Sequence, residues 1–362
     1  MTPPQLFTPI DIGPQTLGNR IAVAPMCQYS AENGSATDWH HVHLGVLAQS
    51  GAGLVVVEAT GVEPAGRITP QCLGLYSDEN EERLGEALRR ARKVGAAKFG
   101  IQLAHAGRKA SCDVTWRGGG PLTPTQGGWT VRGPSSLPFN EGFPTPVAMT
   151  EADMDEVVEA FAQAARRAAR LDFEVIELHA AHGYLLHQFL SPLSNRRNDD
   201  FGGTQANRMR FPLRVFAAVK AAASASMAVG ARISGSDWLE GGMTIEDTIA
   251  FARGLDDLGC AYVDVTTGAL DPRAKIPAAP NYQVPHAEAV RKAIKAPVRA
   301  VGMITAPHQA EEIIASGKAD MVALARAFLS DPRWGWRAAH VLGHPLEVPP
   351  PYRRLTTALW TG

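Results

Sequence analysis

Eight apolar runs, each followed by a segment of helical periodicity, constrain the fold of this chain more than any other feature. The runs are residues 19–24, 54–59, 98–104, 173–178, 228–234, 262–267, 297–303 and 321–328. Helical segments follow at 40–49, 79–94, 151–171, 206–223, 244–258, 283–295, 307–316 and 331–342. Met154, Val157, Val158 and Phe161 show the i, i+3, i+4, i+7 spacing of a half-buried helix. Strands that are apolar throughout belong in a parallel sheet covered on both faces, and eight strand–helix units match a closed (β/α)8 TIM barrel. The first strand–helix turn carries Pro25-Met26-Cys27 where a dinucleotide-binding sheet would carry glycines, which argues against an open doubly wound sheet. With no linker, residues 1–362 read as one α/β domain, preceded by a Pro- and Gly-punctuated hairpin over 6–18.

Charge and cysteine usage exclude several function classes. The 362 residues are 20% charged with net charge −1, so no basic footprint for nucleic acid is present. No apolar run of 18 residues or more predicts a membrane span, and residues 1–7 lack the pattern of an export signal. Cys27, Cys72, Cys112 and Cys260 form no Cys-x-x-Cys pair, so zinc and iron–sulfur patterns are missing. Reduced thiols and a cytoplasmic location are expected.

In a barrel, the residues after each strand converge on one opening. Glu177-Leu178-His179-Ala180-Ala181-His182-Gly183-Tyr184 places two histidines and a tyrosine there. Two imidazoles separated by small residues can bind a metal, donate hydrogen bonds to a substrate oxygen or shuttle protons, and spacing alone leaves the three open. The last two strand–helix turns, Val301-Gly302-Met303 and Ala325-Arg326, offer backbone amides, a permissive glycine and a cation to a phosphate. Arg232 and Gln102 add a fixed cation and an amide for a heterocycle, which together suit flavin mononucleotide.

These residues resemble the Old Yellow Enzyme family of FMN-dependent ene-reductases, most closely its xenobiotic-reductase or thermophilic-like branch. The resemblance runs nearly end to end, through Leu17-Gly18-Asn19-Arg20-Ile21, Ala24-Pro25-Met26-Cys27-Gln28-Tyr29-Ser30, Val57-Glu58-Ala59-Thr60 and Gly66-Arg67-Ile68-Thr69. It continues through Gln102-Leu103-Ala104-His105-Ala106-Gly107-Arg108-Lys109-Ala110, the His179 to Tyr184 stretch and Ser191-Pro192-Leu193-Ser194-Asn195-Arg196. It implies that NAD(P)H (NADPH or NADH) reduces FMN, which then passes hydride to the β-carbon of an activated alkene in double-displacement order. It places Ala24, Pro25, Met26, Cys27, Ala59, Gln102, Arg232, Gly302, Ala325 and Arg326 around FMN. His179 and His182 would hold the substrate's carbonyl or nitro oxygen, and Tyr184 would protonate its α-carbon. Tyr29 and Cys27 would contact substrate, Cys27 also tuning the flavin.

Residues 113–148, rich in Gly and Pro, interrupt the third strand–helix unit and read as a lid. In this branch, a tail like residues 349–362 carries an arginine or tryptophan to a neighbouring subunit's active site. Arg354 matches the arginine, and Trp360 follows it, implying a homodimer or homotetramer. Three departures from the family pattern stand out: Ala325 for Gly, Phe201 for Tyr, and Asn281 for Gly. Two other readings keep the barrel: a metal-dependent hydrolase or lyase using His179 and His182, and a non-catalytic flavin carrier.

Overall fold

The computed structural model describes residues 3–345 and 347–355. It opens with an antiparallel hairpin, β1 (Ile10–Ile12) and β2 (Gln15–Leu17), with Ile10 opposite Leu17. The barrel strands are β3 (Ile21–Val23), β4 (Leu54–Gly61), β5 (Lys98–Ala104), β8 (Val175–Ala180), β9 (Ala228–Ser234), β10 (Val263–Thr266), β11 (Val298–Val301) and β12 (Met321–Leu324). A short parallel pair, β6 (Arg132–Gly133) and β7 (Val147–Ala148), belongs to the insertion between β5 and the following helix. The eight barrel strands pair in parallel in chain order, and β12 closes on β3 through Ala323 opposite Ala22. The expected closed eight-stranded barrel is therefore the observed one.

Several helices form where the sequence supplies both a cap and an apolar stripe. The longest, α3 (Glu151–Arg170), is the third in chain order after α1 (Asp38–Ala48) and α2 (Asp78–Val94). It starts on a reciprocal cap: Asp153 N–H donates to Thr150 Oγ1 at 3.2 Å, and Thr150 N–H to Asp153 Oδ2 at 2.8 Å. Met154, Val157 and Phe161 are fully buried against the barrel, as the spacing predicts. The remaining helices are α4 (Leu185–Leu190), α5 (Gln205–Ala222), α6 (Ile245–Asp257), α7 (Val284–Arg291), α8 (Pro307–Ala315), α9 (Arg326–Ser330) and α10 (Trp334–Val341).

Two sequence-based boundaries move in ways that matter for the site. The apolar run 173–178 becomes a strand at Val175–Ala180, so His179 sits within β8 rather than beyond it. The run 321–328 splits, with β12 ending at Leu324 and α9 beginning at Arg326. Apolar residues in a one-turn helix carry no period that separates them from a buried strand. The same limit hid α4, whose six residues are all buried.

The hairpin forms the barrel's floor. Ile12 and Leu17 are fully buried and pack with Ala22, Leu54, Val175, Ala228 and Met321, which lie at or near the starts of barrel strands. At the other end, β4 carries a bulge: Val57 faces Ile101, but Ala59 faces Gln102, leaving Glu58 as the extra residue.

Candidate active site

β8 delivers His179, and the chain then turns sharply. His182 (φ 56°) and Gly183 (φ 71°) are both left-handed, and a Cβ on Gly183 would stand 2.6 Å from the Ala269 carbonyl oxygen. The turn brings the three rings together: the His179 and His182 centroids are 5.2 Å apart and those of His179 and Tyr184 4.8 Å apart, both edge-on. His179 Nδ1 accepts the Ala181 amide at 3.2 Å, so the neutral ring carries its proton on Nε2. His182 Nε2 lies 2.9 Å from Thr266 Oγ1, whose own hydroxyl donates to Gln283 Oε1 at 3.0 Å. Gln283 Nε2 in turn donates to the Val301 carbonyl at 2.9 Å. That chain directs the His182 Nε2 proton to Thr266 and leaves Nδ1 as its free nitrogen. Burial, then the Arg232 charge, holds both histidines well below the ordinary imidazole pKa. Burial, reinforced by Cys27, raises the Tyr184 phenol well above its usual value.

The loop after β3 supplies the opposite wall. Burial, followed by Cys72 and Glu58, raises the Cys27 thiol well above its ordinary pKa, so the sulfur there is a neutral thiol. Tyr29 (φ 47°) hydrogen-bonds with Cys27 and meets the insertion's Trp116 edge-on at 6.0 Å. The insertion touches the site again through Phe139, whose ring lies 4.6 Å from Lys109 Nζ. Lys109 ties two mouth loops together by donating to the His182 and Ala269 carbonyls at 2.9 and 2.8 Å, and burial lowers its pKa to about 8.

Beside this group, a cavity of about 540 Å³ opens at the carboxyl ends of β9 to β12, lined by Arg232, Gln283, Gly302, Ala325, Arg326 and Arg337. Among the described residues Arg326 has no hydrogen-bond or ion-pair partner. Gly302 has φ 111°, and a Cβ there would stand 2.1 Å from Gln283 Nε2. A free cation, a glycine backbone and a buried guanidinium on one wall fit the phosphate and ring of a flavin mononucleotide. Ala24, Pro25, Met26, Cys27, Ala59 and Gln102 lie at the same end of the neighbouring strands β3, β4 and β5. Ala325 has φ −106°, so its backbone does not require the glycine expected there. Asn281 has φ 65°, a left-handed conformation that asparagine tolerates in glycine's place, and its Oδ1 accepts from Gln309 at 2.6 Å.

Three buried histidines outside this set share one arrangement. Thr37, Gly107 and Gly183 each donate a backbone N–H to Nδ1 of His40, His105 and His187, at 3.0, 3.0 and 2.8 Å. Nε2 of the same rings faces Glu58 at 3.3 Å, Glu63 at 2.8 Å and Asp237 at 2.9 Å. Each imidazole is a strut between a mouth loop and a carboxylate. Glu58 also accepts the Gln28 amide at 2.9 Å, which anchors the Cys27–Gln28–Tyr29 turn. Sequence reasoning missed His187, Asp237, Thr266 and Gln283; a His or Asp amid buried apolar neighbours was the available signal.

A profile of the NADH:flavin oxidoreductase / NADH oxidase family matches residues 5–344, nearly the whole chain. The chain belongs to that family. This flavin oxidoreductase is 43% identical over 351 residues to the NADPH dehydrogenase of Geobacillus thermodenitrificans, covering 96% of this chain and 98% of that one. It is 41% identical over 352 residues to the NADPH dehydrogenase of Bacillus subtilis, covering 97% and 98%. Morphinone reductase superposes with a TM-score of 0.78 at 28% identity, covering 97% of this chain and 92% of that structure. The protein is an NAD(P)H-dependent flavin oxidoreductase of the Old Yellow Enzyme family, with FMN as its cofactor. One expected site residue is not brought in by this chain. The tail lies at the amino-terminal end of the barrel, where Pro349 shares a groove with Gly53 and Lys98, and Arg354 is exposed. Tyr352 packs edge-on against Trp336 at 5.3 Å, which holds this segment away from the chain's own mouth. Trp360 lies outside the described residues.

Proposed function

We propose that this flavin oxidoreductase is an ene-reductase acting on α,β-unsaturated carbonyl or nitro compounds. The observation that carries the reading is the convergence of two neutral histidines and a protonated tyrosine on one mouth, with centroids 4.8 and 5.2 Å apart, beside the cofactor cavity. FMN, when bound, accepts hydride from NAD(P)H and delivers it to the alkene. His179 offers its Nε2–H to the substrate oxygen and stabilises the charge that develops there. His182 joins it by exchanging Thr266 for the same oxygen. Tyr184 gives its hydroxyl proton to the α-carbon, and the burial that raises its pKa keeps that proton available at neutral pH. Cys27 and Tyr29 shape the opposite wall, while Trp116 and Phe139 of the insertion limit access of water.

The metal-dependent reading lacks a ligand set: among the described residues no three His, Cys, Asp or Glu side chains are grouped to hold an ion. The enzyme works in the cytoplasm, in keeping with four free cysteines. It functions as a homodimer or homotetramer in which Arg354 serves a neighbouring subunit's substrate site. Trp39 and Val42, exposed by 54% and 66% on α1, leave apolar surface for such a contact.

The test is the visible spectrum of the purified protein under anaerobic conditions. NADPH should bleach the flavin bands, and 2-cyclohexenone should restore them. Bands that bleach but do not return with enones, maleimides or nitroalkenes would leave an oxidoreductase of another substrate class. Bands that never bleach would favour a silent flavin carrier.

A further inference from the structure

The middle of the barrel interior is built from charge. Glu177 on β8, Asp264 on β10 and Arg299 on β11 are each fully buried, in positions that barrels usually fill with branched apolar residues. Burying each charge costs several kcal/mol unless partners satisfy it. Here the partners form a single connected set. Asp264 lies opposite Arg232 on one neighbouring strand and opposite Arg299 on the other. Its Oδ1 is 3.0 Å from Arg232 Nε, and its Oδ2 accepts from Arg299 Nε at 2.5 Å. Arg299 Nη2 also donates to Glu177 Oε2, which receives the Tyr262 hydroxyl at 2.8 Å as well. The other Glu177 oxygen accepts Gln102 Nε2 at 2.8 Å.

This wiring has two consequences for Gln102 and Arg232. One N–H of the Gln102 amide is committed to a carboxylate, which fixes how the side chain is turned and leaves its carbonyl oxygen and second N–H for a ligand. Nε of Arg232 faces Asp264, leaving its terminal nitrogens for the cofactor cavity that it lines. The charges also balance: two carboxylates and two guanidiniums sum to zero. Burial alone would lower the Arg299 pKa, but Glu177 and Asp264 override it and hold it above the usual arginine value, so the cation is permanent.

We propose that Arg299 is a positioning residue that, through Glu177 and Asp264, orients Gln102 and Arg232 toward the flavin and sets its reduction potential by keeping the buried cluster neutral. Without Arg299 the cluster carries one negative charge beneath a cofactor that becomes more electron-rich on reduction, so reduction is disfavoured. Without the Glu177 charge the sign reverses. The proposal rests on the reading that Gln102 and Arg232 face the flavin ring.

The experiment measures the two-electron midpoint potential of the FMN-loaded enzyme, by anaerobic equilibration with reference dyes, in Arg299→Met, Arg299→Lys, Glu177→Gln and the Arg299→Met/Glu177→Gln double variant. In Arg299→Met, reduced flavin should bind about tenfold more weakly relative to oxidised flavin, a lowering of about 30 mV. Glu177→Gln should shift the potential upward, Arg299→Lys should stay near the parent, and the double variant should return toward it. A purely structural role would leave the double variant at least as disturbed as either single change. If Arg299→Met fails to fold, the upward shift in the near-isosteric Glu177→Gln decides the matter alone. Potentials unchanged in Glu177→Gln and in any folded Arg299→Met enzyme would overturn the proposal. Arg232→Met and Gln102→Leu separate the two levels. A shift in these without one in the Arg299 and Glu177 series defeats only the buried relay. No shift in any variant defeats the placement of Gln102 and Arg232 as well.

Discussion

Burial and the Arg232 charge both press His179 and His182 toward the neutral form, and that has a cost in acid. In the unfolded chain each takes up a proton near pH 6.5, whereas in the folded protein neither does until well below it. Their contribution to stability is thus present above pH 6.5 and is lost as pH falls. The loss is about 1.4 kcal/mol per pH unit for each ring until the folded pKa is reached. Between pH 6.5 and 5.0, urea unfolding with FMN in excess should show the parent losing more stability than a His179→Gln/His182→Gln variant, by up to about 1.4 kcal/mol per pH unit for each ring. Parallel curves would show that the rings ionise within the fold. The two histidines and Tyr184 were legible in the sequence because their motif is contiguous. The bonds that assign their protons were not, because Thr266 and Gln283 lie 84 and more residues from His182 along the chain. Glu177, Asp264 and Arg299 were visible as lone charges inside apolar runs, but their pairing spans 122 residues between Glu177 and Arg299.

Strand cores were read correctly and their ends were not, since hydrophobicity continues past the point where ladder bonding stops. Val301 ends β11, and the next two residues are left-handed, Gly302 at φ 111° and Met303 at φ 51°. Gly302 is the position where this element tolerates least. A methyl group would strike Gln283 Nε2, and Gln283 cannot swing aside without breaking its bonds to Thr266, Thr267 and Val301. Strain at the positive φ plus the lost bonds should destabilise Gly302→Ala by about 2–4 kcal/mol. The variant should also release FMN on dilution, checked by denaturant unfolding and by flavin fluorescence in the filtrate. Full stability with retained flavin would show that the turn relaxes freely. The insertion was legible as an irregular stretch at the catalytic end. Its contacts through Trp116 and Phe139 were not, because no periodicity ties a loop to its partner.

At the scale of the whole molecule, eightfold alternation carried the topology: once parallel strands and crossover helices are counted, closure in chain order is nearly the only arrangement left. What alternation does not show is how the ends of the barrel differ. The hairpin stops the lower end with Ile12 and Leu17, and the cavity lined by Arg232 and Arg326 lies with the histidine mouth at the upper one. Traffic therefore runs through a single door. On the proposed ene-reductase reading, the pyridine nucleotide must back out before the alkene can enter, and an alkene that arrives early keeps the nucleotide waiting. Steady-state rates should fall at high enone in a manner that raising NADPH relieves, with parallel double-reciprocal lines at low concentrations of both. Intersecting lines with no such inhibition would mean that two visitors share the room, and that the doorway is wider than its walls suggest.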